Sequence, residues 1–179
     1  MNIYTIGHST HTKTDFINIL KTYQIEIIVD VRSFPGSNYV PHFNREDMKG
    51  WLLANKIEYR HLPQLGGRRK PNKEVDINLV SGWENVSFRN YAAFSLTKDY
   101  KKAVEELIKL SESKMICIMC AELVPWRCHR LIISNSIVSK GVNVLHIISE
   151  SKIIEHEVSL YGAIAVKFKG DLIYPKLKD

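Results

Sequence analysis

The run I-E-I-I-V-D-V spans residues 25–31. Its nearly unbroken β-branched residues predict a strand buried on both faces of a parallel sheet. Before it, Asn2–Ile6 is a shorter β-type run that ends at Gly7. Thr12 then offers a helix N-cap, with Asp15 three residues on as its capping-box partner. Phe16, Ile19, Leu20 and Tyr23 follow at helical spacing. After it, Asn44 and Asp47 repeat the cap pattern ahead of Met48, Trp51 and Leu52. Ile57–Leu62 predicts a third strand. Residues 63–86 are rich in Gly, Pro, Asn and Lys and predict a long loop, a kind that is usually functional or mobile. Helical character returns over Phe88–Leu96, and Thr97 opens a stronger helix with Tyr100, Val104, Leu107 and Ile108 facing the core. Met115–Cys120 is a wholly apolar strand. Pro125 is expected as the first residue of a helix that carries Leu131, Ile132, Asn135 and Val138 and stops at Gly141. Val142–Ile148 predicts another strand. Ala163–Phe168 and Leu172–Tyr174, around Gly170-Asp171, predict a terminal β-hairpin.

This succession predicts an α/β fold, a three-layer sandwich whose mainly parallel sheet is flanked by helices. The 179 residues are expected to form a single domain. Hydrophobic residues at 45% and charged residues at 25% exclude a disordered, collagenous or coiled-coil chain. No apolar run is long enough to span a membrane, and the N-terminus lacks the pattern of a secretory signal. Cys117, Cys120 and Cys128 fit a reducing cytoplasm better than a disulfide scaffold. The net charge of +6 points to an anionic partner.

Sheets of this kind bind ligands beyond the carboxyl ends of their strands. Polar clusters fall there. The first strand gives way to Gly7-His8-Ser9. The second ends in Asp30-Val31-Arg32-Ser33, followed by Pro35, Gly36 and Ser37. Met115–Cys120 leads into Ala121-Glu122, then Pro125, then Cys128-His129-Arg130. The loop Gly66-Gly67-Arg68-Arg69-Lys70 follows the third strand. All four are expected to converge on one crevice.

The sequence shows further likenesses there. The segments T-I-G-H-S (5–9), D-V-R-S-F-P-G-S (30–37), L-G-G-R-R (65–69) and C-A-E-L-V-P-W-R-C-H-R (120–130) resemble the signature of the domain of unknown function 488 family. The resemblance runs from about Ile3 to Ile147, and Trp83 and Tyr91-Ala92 also match its pattern. It implies an α/β fold and a shared site, and it supplies no substrate. The layout strand–Cys–loop–Arg–helix is also similar to rhodanese and tyrosine-phosphatase loops, with a Cys120-to-Arg127 spacing one residue longer.

Each candidate carries a structural reading beside the functional one. Cys120 is a candidate nucleophile, its thiolate favoured by Arg127, Arg130 and a helix N-terminus, or a small buried residue. Asp30 and Glu122 are a carboxylate pair able to divide acid and base roles; alternatively Asp30 pairs with Arg32 or Arg130 and Glu122 caps a helix. His8 is a candidate proton carrier, or a hydrogen-bond partner of the next loop. Gly66–Lys70 covers a phosphate, or is a solvated loop. Its glycine spacing fits neither a Walker loop nor a dinucleotide fingerprint, and no cofactor is expected. Neither is a metal: Cys117 and Cys120, three apart on a strand, point to opposite faces. Zinc on residues 120, 128 and 129, with His8 as fourth ligand, is the alternative.

The leading expectation is a cytoplasmic enzyme, a hydrolase or transferase acting on a phosphate-bearing ligand such as a nucleotide or nucleic-acid component. Arg32 and Arg130 would hold the anion, and Glu122 or Cys120 would act as nucleophile or base. Gly7, Ser9, Ser37, Gly66, Gly67, Arg68, Tyr91, Cys128 and His129 would line the ligand site. Trp126 and Tyr39 would flank it. The rivals are a non-catalytic nucleic-acid-binding module and a purely structural polar network. Lys167, Lys169, Lys176 and Lys178 lie outside the clusters and are expected only to aid solubility.

Overall fold

The computed structural model describes residues 1–177; Lys178 and Asp179 lie outside the described residues. The chain runs β1 (Asn2–Gly7), α1 (Lys13–Thr22), β2 (Ile27–Asp30), α2 (Arg45–Ala54), β3 (Glu58–His61), α3 (Val86–Ser95), α4 (Lys98–Ser111), β4 (Ile116–Cys120), α5 (Arg130–Ser139), β5 (Asn143–Ser149) and β6 (Lys152–Glu155). The expected terminal hairpin follows as antiparallel β7 (Val166–Phe168) and β8 (Asp171–Ile173). The first six strands form one sheet in the order β3-β2-β4-β1-β5-β6, parallel except for β6. This is the α/β sandwich that the strand and helix alternation predicts.

The alternation of side chains along the strands divides the core in two. Ile28, Cys117 and Met119 pack beneath Phe16 and Leu20 of α1 and Met48 and Leu52 of α2. Val29, Ile118 and Cys120 point the other way, into a layer made by Tyr91, Tyr100, Val104 and Leu131 of α3, α4 and α5. Cys117 and Cys120 therefore sit on opposite faces, as their spacing requires.

Local signals explain most boundaries. Thr12 Oγ1 accepts the Asp15 amide at 3.1 Å and donates to Asp15 Oδ2 at 2.7 Å, which fixes the start of α1. Asn44 occupies the N-cap of α2, but its side chain accepts the Ser37 amide at 2.6 Å and so ties down the 33–40 loop. Two expectations change. Pro125 does not begin the helix: residues Pro125–Arg127 form a separate 3₁₀ turn, and α5 starts at Arg130. The 63–86 segment is not a bare loop either. It contains 3₁₀ turns at Pro63–Leu65 and Ile77–Val80 and is pinned by buried Leu65, Val80 and Trp83.

The topology locates the crevice. β1 leads through α1 to β2 on one side of the sheet, whereas its neighbour β4 leads through α5 to β5 on the other. The two chains part to opposite faces at the carboxyl ends of β1 and β4, and a cleft opens where they separate.

Candidate active site

The β1 end is locked onto the β4 loop by backbone contact. His8 and Ser9 amides donate to the Cys120 and Ala121 carbonyls at 2.9 and 2.8 Å. Gly7 is required here, because a Cβ would stand 1.8 Å from the Glu122 carbonyl oxygen. Arg130, 1% exposed, turns inward from α5 and donates to the Glu122 and Leu123 carbonyls from behind, and to Thr5 Oγ1 at 3.5 Å. The loop carrying Glu122 is thereby fixed on two sides, which leaves its side chain exposed to solvent.

Asp30 and Arg32 form a buried, bidentate ion pair. Arg32 Nε donates to Asp30 Oδ1 at 2.9 Å and Nη2 to Oδ2 at 2.7 Å. Tyr59 donates to the same Oδ2 at 2.7 Å, and Arg32 also donates to the Phe43 carbonyl at 2.8 Å. The remaining Arg32 nitrogen donates to His8 Nε2 at 3.1 Å. His8 Nδ1 donates to the Ser9 carbonyl at 3.0 Å, so both ring nitrogens are committed. Burial, foremost, lowers the His8 pKa to about 4, and the ring stacks on Phe43. Ser9 itself adopts a left-handed backbone, φ 43°, an uncommon state for a residue with a side chain.

Across the cleft, Cys120, Cys128 and His129 cluster. Their donor atoms all lie within 4.8 Å of one another. His129 Nε2 donates to the Val31 carbonyl at 3.1 Å, which turns the Nδ1 lone pair toward Cys128 Sγ at 3.5 Å and Cys120 Sγ at 3.9 Å. The Cys120 thiol is held well above its ordinary range by its hydrogen bond to Cys128 and by burial. Burial alone would raise Cys128 as well; the Cys120 hydrogen bond, the Arg130 charge and His129 outweigh it and hold Cys128 well below its ordinary range. Tyr91 supports the cluster: its ring centroid lies 5.0 Å from that of His129, and its hydroxyl donates to the Leu65 carbonyl at 2.7 Å. Gly67 presses against His129, where a Cβ would fall 2.5 Å from Nδ1.

Between these walls lies a cavity of ≈ 440 Å³. A family model, the domain of unknown function DUF488, matches residues 12–137. The chain belongs to the DUF488 family. No curated protein and no solved structure matches it. The match takes in three of the four quoted segments; Thr5–Ser9 precedes it.

In this DUF488 domain, His8, Arg32, Ser37, Gly67, Arg68, Tyr91, Cys120, Glu122, Cys128 and His129 reach the cavity wall. Gly7, Ser9, Asp30, Gly66 and Arg130 do not. Asp30 is 0% exposed, so its expected acid or base role gives way to the ion-pair reading. Arg130, expected on the anion, instead braces the Glu122 loop. The expected helix N-terminus is displaced from Pro125 to Arg130: the Arg127 and Cys128 amides are taken by the Val124 and Pro125 carbonyls at 3.3 and 3.0 Å. Arg127 and Arg68 both line the cavity, and among the described residues neither joins an ion pair. Sequence reasoning missed Phe34, Ser87 and Phe88 as lining residues. Phe34, 72% exposed and 5.5 Å beneath the Arg68 guanidinium, had a signal in its apolar character between polar Ser33 and Pro35-Gly36. Ser87 and Phe88 arrive because Asn85 caps α3 with 2.9 and 3.2 Å bonds to their amides.

Proposed function

We propose that this protein is a cytoplasmic enzyme, a hydrolase or transferase, that acts on a phosphate-bearing ligand such as a nucleotide or nucleic-acid component. One observation carries the reading: a cavity of ≈ 440 Å³ at the carboxyl ends of parallel strands, with Arg68 and Arg127 on its wall and no carboxylate paired to either among the described residues. That volume falls in the range of small-molecule sites. Guanidinium groups are the natural partners of phosphate oxygens. Phe34 and Phe88 give the same cavity apolar surface suited to a planar base or sugar face.

Glu122 is the side chain placed to take a proton or attack. It is exposed, on the cavity wall, and its backbone is clamped between Gly7 and Arg130. His8 lines the cavity, but with both nitrogens engaged it positions Arg32 and does not carry protons.

A melting-temperature assay with inorganic phosphate and ribonucleoside 5′-monophosphates tests the reading. The wild-type protein is expected to be stabilised at millimolar ligand, and Arg68→Ala and Arg127→Ala to weaken apparent affinity about tenfold each, or about 1.4 kcal/mol. No stabilisation by any of these probes would contradict it.

A further inference from the structure

We propose that Cys120, Cys128 and His129 form a Cys₂His site for a borderline-soft divalent metal ion, with zinc the best match, whose fourth coordination position opens into the cavity. The inference goes beyond the phosphate reading and does not depend on it. It also reverses the expectation that the chain needs no metal.

The spacing is that of a tetrahedral ion. Bonds of ~2.3 Å to sulfur and ~2.0–2.1 Å to nitrogen place sulfur and nitrogen ligands ~3.6 Å apart and two sulfurs ~3.8 Å apart. Cys128 Sγ and Cys120 Sγ lie 3.5 and 3.9 Å from His129 Nδ1, and all three atoms are within 4.8 Å of one another. Both sulfur–nitrogen distances are within a few tenths of an ångström of the tetrahedral value.

The surroundings match as well. A metal-bound histidine ordinarily donates its other ring N–H to an oxygen, which fixes its tautomer and direction. His129 Nε2 meets the Val31 carbonyl at 3.1 Å, which leaves Nδ1 bare toward the sulfurs. Thiolate and imidazole ligands select zinc over magnesium or calcium. All three cysteines are unbridged, and Cys117 is on the opposite face of the sheet, too remote to compete. His8, the fourth ligand the sequence suggested, is bonded to Arg32 and Ser9 instead. The three ligands line the same cavity as Glu122 and Arg68. A three-ligand ion with an open position is the arrangement of catalytic rather than structural zinc. There it would act as a Lewis acid toward a phosphate oxygen or a water.

The test uses the reduced, chelator-stripped full chain titrated anaerobically with cobalt(II). One equivalent is expected to give a thiolate-to-cobalt charge-transfer band and intense tetrahedral visible bands, both displaced by zinc. Cys117→Ser should keep these bands, while Cys128→Ser and His129→Ala should weaken cobalt affinity at least tenfold. The weak spectrum of aqueous cobalt from the wild type would overturn the site, as would equal loss from Cys117→Ser. Should the cluster variants fail to fold, alkylation of the wild type decides: zinc should protect Cys120 and Cys128 from iodoacetamide, and unchanged labelling would overturn the proposal. Cobalt binding without any phosphate effect would leave the metal site standing and remove the phosphate reading. The reverse result would do the opposite.

Discussion

Gly7 and Glu122 show how one residue fixes another without touching it through a side chain. A methyl group at Gly7 would overlap the Glu122 carbonyl. Gly7→Ala is therefore expected to destabilise the protein by at least the ~1–3 kcal/mol of ordinary overpacking, read by urea unfolding. The two carboxylates should separate in the same experiment. Asp30→Asn leaves Arg32 buried with a weakened partner and should cost roughly 3–5 kcal/mol. Glu122→Gln, at an exposed side chain, should stay within about 0.5 kcal/mol of wild type. Equal losses would mean that Glu122 is also structural. The residue types at the strand ends were legible in the sequence, because ionisable residues interrupt apolar runs there. Which way each side chain turns was not. An arginine at the start of a helix can face solvent or core, and Arg130 faces the core, where the Glu122 and Leu123 carbonyls and Thr5 Oγ1 accept from it.

A second polar assembly joins five residues from distant parts of the chain, away from the cavity. Thr5 in β1 donates to His146 Nδ1 in β5 at 2.7 Å, and His146 Nε2 to His156 Nδ1 at 2.9 Å. His156 Nε2 donates to Asn135 Oδ1 in α5 at 2.8 Å, and Asn135 Nδ2 to the Tyr174 hydroxyl at 3.1 Å. Every bond runs in one direction, and both histidines must be neutral for it to do so. Burial, foremost, lowers His146 to about 3 and His156 to about 4. Their unfolded values are near 6.5. Above that pH both states are neutral and stability is fully present. As pH falls from about 6.5 toward 4, the unfolded chain takes up protons that the folded chain refuses. Stability is expected to drop by up to about 1.4 kcal/mol per pH unit for each histidine. Urea midpoints measured across that window check this, and a flat profile would contradict it. None of this chain was legible in the sequence, since its members are separated by up to 169 positions, from Thr5 to Tyr174. Most of the elements were, because the β-branched run at Ile27–Asp30 and the apolar β4 admit little but buried parallel strands; the antiparallel edge strand β6 was not expected. The start of α5 was missed because a proline suited to a first helical turn suits a 3₁₀ turn equally well.

At the scale of the molecule, the charge of +6 has a narrower meaning than its size suggests. Arg32 and Arg130 are consumed inside the fold. Arg69 donates to the Gly66 and Gln64 carbonyls and lies 3.6 Å over the Phe94 ring. Arg68 and Arg127 are the cationic ends left at the cavity from the clusters that the sequence singled out. Two phosphate contacts on duplex DNA imply a log–log salt slope no steeper than about −2. Fluorescence anisotropy with a labelled duplex measures it, and a slope near −5 would favour the nucleic-acid module instead. No helix among the described residues is long and apolar enough to cross a membrane. The remaining claim is that the cavity between β1 and β4 receives phosphate. Crystals soaked with inorganic phosphate and nucleoside monophosphates test it most directly. Density for a phosphate group within hydrogen-bond reach of Arg68 and Arg127 is the predicted result. An empty cavity at saturating ligand, or phosphate bound only elsewhere on the surface, would contradict it.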